Sequence, residues 1–278
     1  MDIKGPFSYS GNKFRIWNKH LKEIFKNYKK IHEPFLGSGT CLYNSNNGGI
    51  GIDLDENVIE LHNSLYDKDL LDKIKNCYED YFKGVRNKTD YYKLRDDFNK
   101  SWIVDKTNSN NVHQLHLLIQ LSFNSLMRFS KNGFNAPFGM KSVDFDRIKN
   151  HQSIVLDPEK EFTFIKGNYY DLDLTLVDKE NDLIYLDPPY IASKFQYGGW
   201  EKTDETKLLS YIDELNDLGY KFVLSNTFYH RDVINQELID WSSKYNIKDI
   251  KMSYNSWSAA VKSVENENKT TEVIISNL

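Results

Sequence analysis

The sequence predicts an α/β fold, an open sheet with helices, interrupted by an inserted, mostly helical module. Three observations carry this. Short apolar runs alternate with stretches of helical periodicity, the pattern of strands joined by helices. That alternation stops between about Lys68 and Asn150 and resumes afterwards. The run "DLIYLDPPY", Asp182 to Tyr190, opens like a buried strand and breaks into an acid, two prolines and an aromatic ring. On this reading residues 1–66 and 151–278 form one sheet-bearing domain, and residues 67–150 are the insertion.

Each element has a local reason. In "FRIWNKHLKEIFKNY", Ile16, Trp17, Leu21, Ile24 and Phe25 recur at helical spacing, so an amphipathic helix is expected after Gly11. "KKIHEPFLGSGTCLYN" reads as a short strand and a turn, and "GGIGIDLDENVIELHNSLY" as strand, acidic loop and helix. Past the polar, helical insertion come the strands "EFTFIKGN" and "DLIYLDPPY", a helix across "TDETKLLSYIDELNDLGY", and the strand "KFVLSN". "IKDIKMSYN" and "TTEVIISN" are expected as two closing strands with a polar loop between them.

At 278 residues, with 40% hydrophobic and 27% charged side chains, the composition excludes a disordered chain. No apolar run approaches the roughly 18 residues a membrane helix needs, and "MDIKGPFSYSGNK" lacks a signal-peptide core. A cytoplasmic location is therefore expected. Cys41 and Cys77 are too few for a disulfide framework, and the seven histidines form no spaced ligand set, so no metal is expected. The net charge of −4 is unevenly spread. Residues 1–30 carry eight Lys/Arg against two Asp/Glu, and residues 127–153 five against two, so two short basic segments sit on an acidic body. They read either as ordinary surface charge or as a phosphate-contacting face.

In open α/β sheets, ligands bind beyond the carboxyl ends of the strands. Asp187-Pro188-Pro189-Tyr190 falls at such an end. The prolines lack N–H groups and stop the strand, leaving the Asp187 carboxylate and the Pro188 carbonyl as acceptors beside the Tyr190 ring. Such a set suits a planar substrate with an exocyclic amine: two acceptors for two N–H bonds, and a face for stacking. Holding both hydrogens favours a more tetrahedral nitrogen and aims its lone pair at an electrophile, which is catalysis by positioning and electrostatics. The bland reading is a turn, in which Asp and Pro are common. Upstream, Gly37-Ser38-Gly39 is a weak nucleotide signal by itself. Asp53, at the end of the next strand, strengthens it, because an acid there can accept from ribose hydroxyls. Leu42 stands where the third glycine of a dinucleotide loop belongs, which disfavours NAD.

With these residues in view, the chain resembles the S-adenosylmethionine-dependent adenine-N6 DNA methyltransferases, of the Dam-like alpha group or D12 class. "DPPY" looks like their catalytic motif and "PFLGSGT" like their cofactor loop, with the insertion between the two. The similarity runs from "YSGNK" through "RFSKNGFNAPFG" to "KFVLSN". It implies a Rossmann-like methyltransferase sheet and an inserted target-recognition domain. It also implies S-adenosylmethionine as methyl donor, with Asp187, Pro188, Pro189 and Tyr190 catalytic. Phe35, Gly37 and Gly39 would line the methionine part of the cofactor, Asp53 the ribose, and Asn168 and Tyr169 the adenine. Tyr9 and Lys13 of "YSGNK" would stand near cofactor and catalytic pocket, Asp187 bordering both. Read alone, Tyr9 and Tyr169 fit equally as core aromatics and Lys13 as a solvated charge.

The implied partner is double-stranded DNA, whose target adenine has to be flipped out of the stack. Arg128 resembles the family's guanine-reading arginine. Phe123 would wedge into the space left behind, Pro137 touch a thymine methyl, and Lys131 and Lys141 meet phosphates. Core packing of Phe123 and an ion pair for Arg128 are the plain alternatives. GATC is the leading target, although GATC-modifying relatives commonly read Arg-x-Asn where this chain has Arg128-Phe129-Ser130. Cytosine-N4 or RNA-adenine methylation, and a non-catalytic DNA-binding module, remain alternatives. A cognate restriction endonuclease acting separately is compatible with the resemblance, as is a site of action at the nucleoid or in the host cytoplasm of a phage.

Overall fold

The computed structural model describes residues 2–9, 11–104, 111–191, 200–230, 233–250 and 270–278. The chain opens with a helical segment formed by α1 (Phe14–Ile16), a π-helical turn (Trp17–Leu21) and α2 (Lys22–Phe25). Then follow β1 (Ile31–His32), α3 (Thr40–Tyr43), β2 (Gly48–Asp53) and α4 (Glu56–Asn63). Four longer helices occupy the middle: α5 (Leu70–Phe82), α6 (Lys88–Val104), α7 (Val112–Leu121) and α8 (Phe145–Val155). Between the last two lies a small hairpin, β3 (Phe129–Ser130) with β4 (Gly133–Phe134). Alternation returns with β5 (Glu161–Lys166), β6 (Leu183–Leu186), α9 (Lys202–Asp217) and β7 (Phe222–His230). The chain closes with β8 (Val233–Ile234), α10 (Gln236–Ser242), β9 (Asn246–Ile250) and β10 (Thr270–Ser276).

The sheet runs β5-β2, then β1-β6-β7-β10-β9, with β8 flanking β7. A parallel bridge between Glu33 and Gly51 joins the two parts just past the end of β1. Pairing is parallel in β2–β5, β1–β6 and β6–β7, while β10 runs antiparallel to both β7 and β9. Strand order therefore reverses between β1 and β6. That is the switch point at which an open α/β sheet leaves a crevice beyond its strand ends.

The central strands are buried on both faces, so they read as continuous apolar runs. Alternation still sorts their side chains by layer. Leu183 and Tyr185 of β6, Val223 of β7 and Ile274 of β10 pack with Ile16, Trp17, Leu21 and Phe25 of the N-terminal helical segment. Their neighbours Ile184, Leu186, Phe222, Leu224, Val273 and Ile275 face the other way, onto Leu208, Ile212 and Leu215 of α9 and Leu238 of α10. The helices of the middle region add a further mass on the β2–β5 side. Leu70 and Ile74 of α5, Leu94 and Phe98 of α6, and Leu117 and Leu118 of α7 share one apolar cluster with Leu42, Val58, Leu61, Phe162 and Phe164. Packing thus runs without a break across the expected boundary at residue 66, and α8 crosses the one at residue 150. Among the described residues no helix is long and apolar enough to cross a membrane.

Candidate active site

The site is assembled where β1 and β6 end side by side. The stretch after β1 turns through Phe35, Leu36 and Gly37 into α3, and Gly39 is the residue before that helix. Gly37 and Gly39 have φ of 47° and 65°, a backbone region that disfavours side chains. Space is tight as well: a Cβ on Gly37 would sit 3.1 Å from the Tyr9 ring, and one on Gly39 3.0 Å from Tyr43, so either ring would have to shift by a few tenths of an ångström. Gly37 is held at both ends. Its N–H donates to Asp53 Oδ2 at 2.9 Å, and its carbonyl accepts from His62 Nε2 at 2.9 Å. His62 Nδ1 in turn accepts from the Tyr43 hydroxyl at 2.7 Å, which fixes the ring tautomer. Burial pushes the His62 imidazole down to about 3, so the ring is neutral when it makes these bonds.

Asn12 brings the N-terminal segment to this loop. Its amide donates to Ser38 Oγ at 2.8 Å and to Thr40 Oγ1 at 2.9 Å, and the next residue, Lys13, reaches the end of β6. There Lys13 Nζ lies 2.7 Å from Asp187 Oδ2, both side chains being largely buried. The ammonium also donates to the Gly11 carbonyl and stands 5.0 Å from the centre of the Tyr190 ring. Tyr190 donates its hydroxyl to Asp187 Oδ1 at 3.0 Å. Asp187 is thus gripped from two sides. Burial pushes its carboxyl up, while Lys13 and the Tyr190 hydroxyl favour the ionised form. Each oxygen keeps a second lone pair able to accept a further N–H.

Asp53 closes β2 and accepts from Gly37 and from the Asp55 N–H, at 2.9 Å each. Burial raises it to about 6 against those two bonds. At the end of β5, Asn168 accepts from the Tyr169 N–H and pairs with Asp171 in a capping box that starts a short 3-10 turn. The turn sets the Tyr169 ring against Phe35, stacked at 5.2 Å between centroids. Trp200 meets Phe35 edge-on at 5.8 Å. Phe35, Gly37, Gly39, Asp53, Asn168 and Tyr169 thus belong to one set of neighbouring strand ends, with Tyr9, Lys13, Asp187 and Tyr190 beside them. Pro188 is buried and Pro189 half-buried.

Several participants carried no signal that reading the sequence picked up. Glu33, the last residue before the turn of β1, is buried and accepts from the Leu42 N–H at 2.8 Å. Burial, aided by the charge of Asp187, pushes it up to about 8, so it is protonated at neutral pH. An acid between a strand and Pro34 in "HEPF" was the available clue. His62 and Trp200 stood as unremarkable members of helical or loop stretches.

The sequence-predicted DNA residues lie apart from this set, in the middle region. Phe123 is 57% exposed on a turn whose next two residues, Asn124 and Ser125, have φ of 56° and 51°. Such conformations are costly for residues with side chains and persist only where the surroundings impose them. Here the Phe123 N–H donates to the Pro137 carbonyl at 2.7 Å and Lys141 Nζ to Ser125 Oγ at 3.2 Å. Exposed Arg128 donates to the Asn135 side chain at 2.6 Å and to its carbonyl at 2.9 Å. Asn135 thus holds the guanidinium, and the plain ion-pair alternative gives way to a hydrogen-bonded clamp. Lys131 and Pro137 are exposed. The Asn99 side chain ties the hairpin to α6, donating to the Phe134 carbonyl and accepting from its N–H. Among the described residues no group of three or more side chains suited to a metal ion occurs.

A sheet switch point flanked by a glycine turn, a strand-end acid and an Asp-Pro-Pro-Tyr strand end defines a Rossmann-like α/β protein of the methyltransferase class. The chain belongs to the D12 class N6 adenine-specific DNA methyltransferases, whose family profile matches residues 9–266. It is 28% identical, over 99% of its length, to the type II methyltransferase M.FokI of Planomicrobium okeanokoites, and 27% identical over 99% to the modification methylase StsI of Streptococcus sanguinis. It spans 43% of each of those two proteins. With the type II methyltransferase M.MjaIII of Methanocaldococcus jannaschii it shares 29% identity over 82% of this chain and 86% of the relative.

Proposed function

We propose that this protein transfers the methyl group of S-adenosylmethionine to N6 of adenine within a short duplex DNA sequence, after the base has been flipped out of the helix. The observation that carries the proposal is the Asp187 carboxylate, held at the end of β6 between Lys13 and the Tyr190 hydroxyl and beside the glycine turn of β1. The residues fit the cofactor. Gly37 leaves bare backbone where a Cβ would meet Tyr9, Asp53 offers carboxylate lone pairs to ribose hydroxyls, and Tyr169 offers an aromatic face to the adenine, backed by its stack on Phe35, which borders the methionine part. When bound, S-adenosylmethionine supplies an electrophilic methyl on its sulfonium.

The chain's own part is positioning. Asp187 and the Pro188 carbonyl accept the two amine hydrogens, which turns the nitrogen lone pair toward the electrophile. The Tyr190 ring stacks on the base and excludes water. Lys13 opposes the upward push of burial on the Asp187 carboxyl and so favours its ionised, accepting form. Flipping costs a few kcal/mol of stacking. Contacts from Arg128, Phe123, Pro137, Lys131 and Lys141 in the inserted 67–150 domain offset that cost, together with the basic segment at residues 1–30. GATC is the first recognition sequence to try. A separately acting restriction endonuclease is the partner suggested by the names of the type II relatives.

The test is incubation with S-adenosylmethionine carrying a labelled methyl group and unmethylated genomic DNA, followed by digestion to nucleosides and sequence mapping of modified positions. The expected product is N6-methyldeoxyadenosine at one short motif, absent with Asp187→Ala. Label in cytosine, or only with RNA, sinks the substrate assignment. Cofactor binding without any transfer supports a binding module instead.

A further inference from the structure

Glu205 is a buried acid for which the transfer chemistry has no direct use. It lies in the first turns of α9 with no exposed surface, and three side-chain N–H groups from other segments converge on it. The Trp200 indole donates to Oε2 at 3.0 Å. The Asn226 and Asn235 amides donate to Oε1 at 3.1 and 2.9 Å. Donors on every side select a group that only accepts, and a glutamine there would turn its own NH2 toward at least one of them. Burial pushes the Glu205 carboxyl up, and these three bonds oppose that shift.

The three donors lead to different places. Asn235 accepts from the Leu238 N–H and starts α10, and Asn226 accepts from the Thr227 N–H within β7, so both amides belong to the rigid frame. Trp200 leads to the site. Its ring meets Phe35 at 5.8 Å and Tyr169 at 6.5 Å, edge-on to each, while those two stack on one another. An indole has one N–H. With that donor anchored to the frame through Glu205, the orientation of the ring against Phe35 and Tyr169 is held.

We propose that Glu205 is a positioning residue of the cofactor pocket, acting through Trp200 to hold the Phe35–Tyr169 wall against which S-adenosylmethionine packs. The inference rests on the methyl-transfer reading above. It extends the site by a layer, from residues that would touch the cofactor to the acid that fixes their backing.

Cofactor dissociation constants from equilibrium dialysis with labelled S-adenosylmethionine, with kcat and the KM for each substrate, test this on the full chain and on Glu205→Gln, Trp200→Phe and the double variant. Glu205→Gln is expected to raise both the cofactor dissociation constant and the cofactor KM about tenfold, with the DNA KM held within about twofold. Trp200→Phe should cost about as much, and the double variant no more than the worse single one, because residues acting through one another are not additive. Unchanged cofactor affinity in a folded Glu205→Gln protein, equal rises in both KM values, or losses that multiply in the double variant overturn the proposal. Should Glu205→Gln fail to fold, as a thermal melt reports, Trp200→Phe decides alone, and unchanged cofactor affinity there overturns it. A wild-type protein that binds no S-adenosylmethionine sinks the methyl-transfer reading itself, a result distinguishable from the others because in those the wild type binds.

Discussion

Lys13 Nζ and Asp187 Oδ2 are 2.7 Å apart, joining the N-terminal segment to the end of the central strand. The Asp187 carboxylate is also the acceptor for Tyr190, and it is surrounded by Glu33, Cys41 and Tyr185 on the adjoining strands and turn. Lys13 is the cation in that group. Its removal withdraws the interaction that favours the ionised carboxylate and leaves desolvation unopposed except by Tyr190. For Lys13→Met, the acid limb of the methylation pH profile should therefore move to higher pH, and Lys13→Arg should restore it. A Lys13→Met profile that is lower but unshifted argues against a counter-ion role.

Asp187 itself separates binding from transfer. Asp187→Ala should lower kcat by about a hundredfold or more, the scale of losing one preorganised electrostatic contact in a transition state, while cofactor binding persists. Single-turnover methylation beside a cofactor titration measures both. Turnover within tenfold of wild type would remove Asp187 from the chemistry.

On the proposed reading, Asp53 should make cofactor affinity depend on pH. Its carboxyl is raised to about 6, and protonation converts an acceptor for ribose hydroxyls into a group with a proton of its own. Affinity should fall as pH drops below about 6, by up to about tenfold per unit. In Asp53→Asn it should be weaker and flat across the same range. Parallel titrations from acid to neutral pH decide between this and a purely structural acid.

Glu33 carries a stability cost that grows with pH. Folding raises its pKa from 4.5 to about 8, so between those values the unfolded chain has released a proton that the native protein retains. The unfolded state binds fewer protons there, and the contribution of Glu33 to stability falls as pH rises through that window. Glu33→Gln, a neutral mimic able to accept from Leu42, should remove the dependence and exceed wild type by on the order of a few kcal/mol above pH 8. Urea midpoints at acid and alkaline pH are the measurement. A steeper fall in the variant would contradict it.

Arg128 and Lys131 should fail differently. A base-reading arginine, already oriented by Asn135, costs about 1 to 3 kcal/mol of discrimination at one base pair when truncated. A phosphate-contacting lysine weakens all sequences alike and lowers the salt slope by about one. Methylation rates on substituted duplexes, with Arg128→Ala and Lys131→Ala, separate the two.

Local chemistry was readable wherever it was written in consecutive residues. Strand-ending prolines after an apolar run placed Asp187 and Tyr190 at a strand end, and the glycines marked the turn after β1, because both depend on backbone constraints that a few neighbours impose. The long helix α9 and the central strands showed in their periodicity for the same reason. His62, Glu205 and Trp200 were not readable. His62 meets the Gly37 carbonyl and Glu205 the Asn226 and Asn235 amides only because the fold brings those distant groups to them, and sequence spacing holds no trace of that meeting. The insertion limits were drawn where the α/β alternation stops and resumes; α8 spans residue 150 and packs Ile148 and Val155 onto the shared core, because packing follows apolar periodicity.

The sequence by itself determined the class of fold, the order of its motifs and the strand end at residues 187–190, because hydrophobic period, proline and glycine act over a few residues. Only the tertiary structure decided which charges those motifs would carry. Lys13 reached Asp187, Gly37 was pinned between Asp53 and His62, and Glu33 was buried into its protonated form. Desolvation and charge pairing depend on distances between residues far apart in the chain, and folding alone sets those distances.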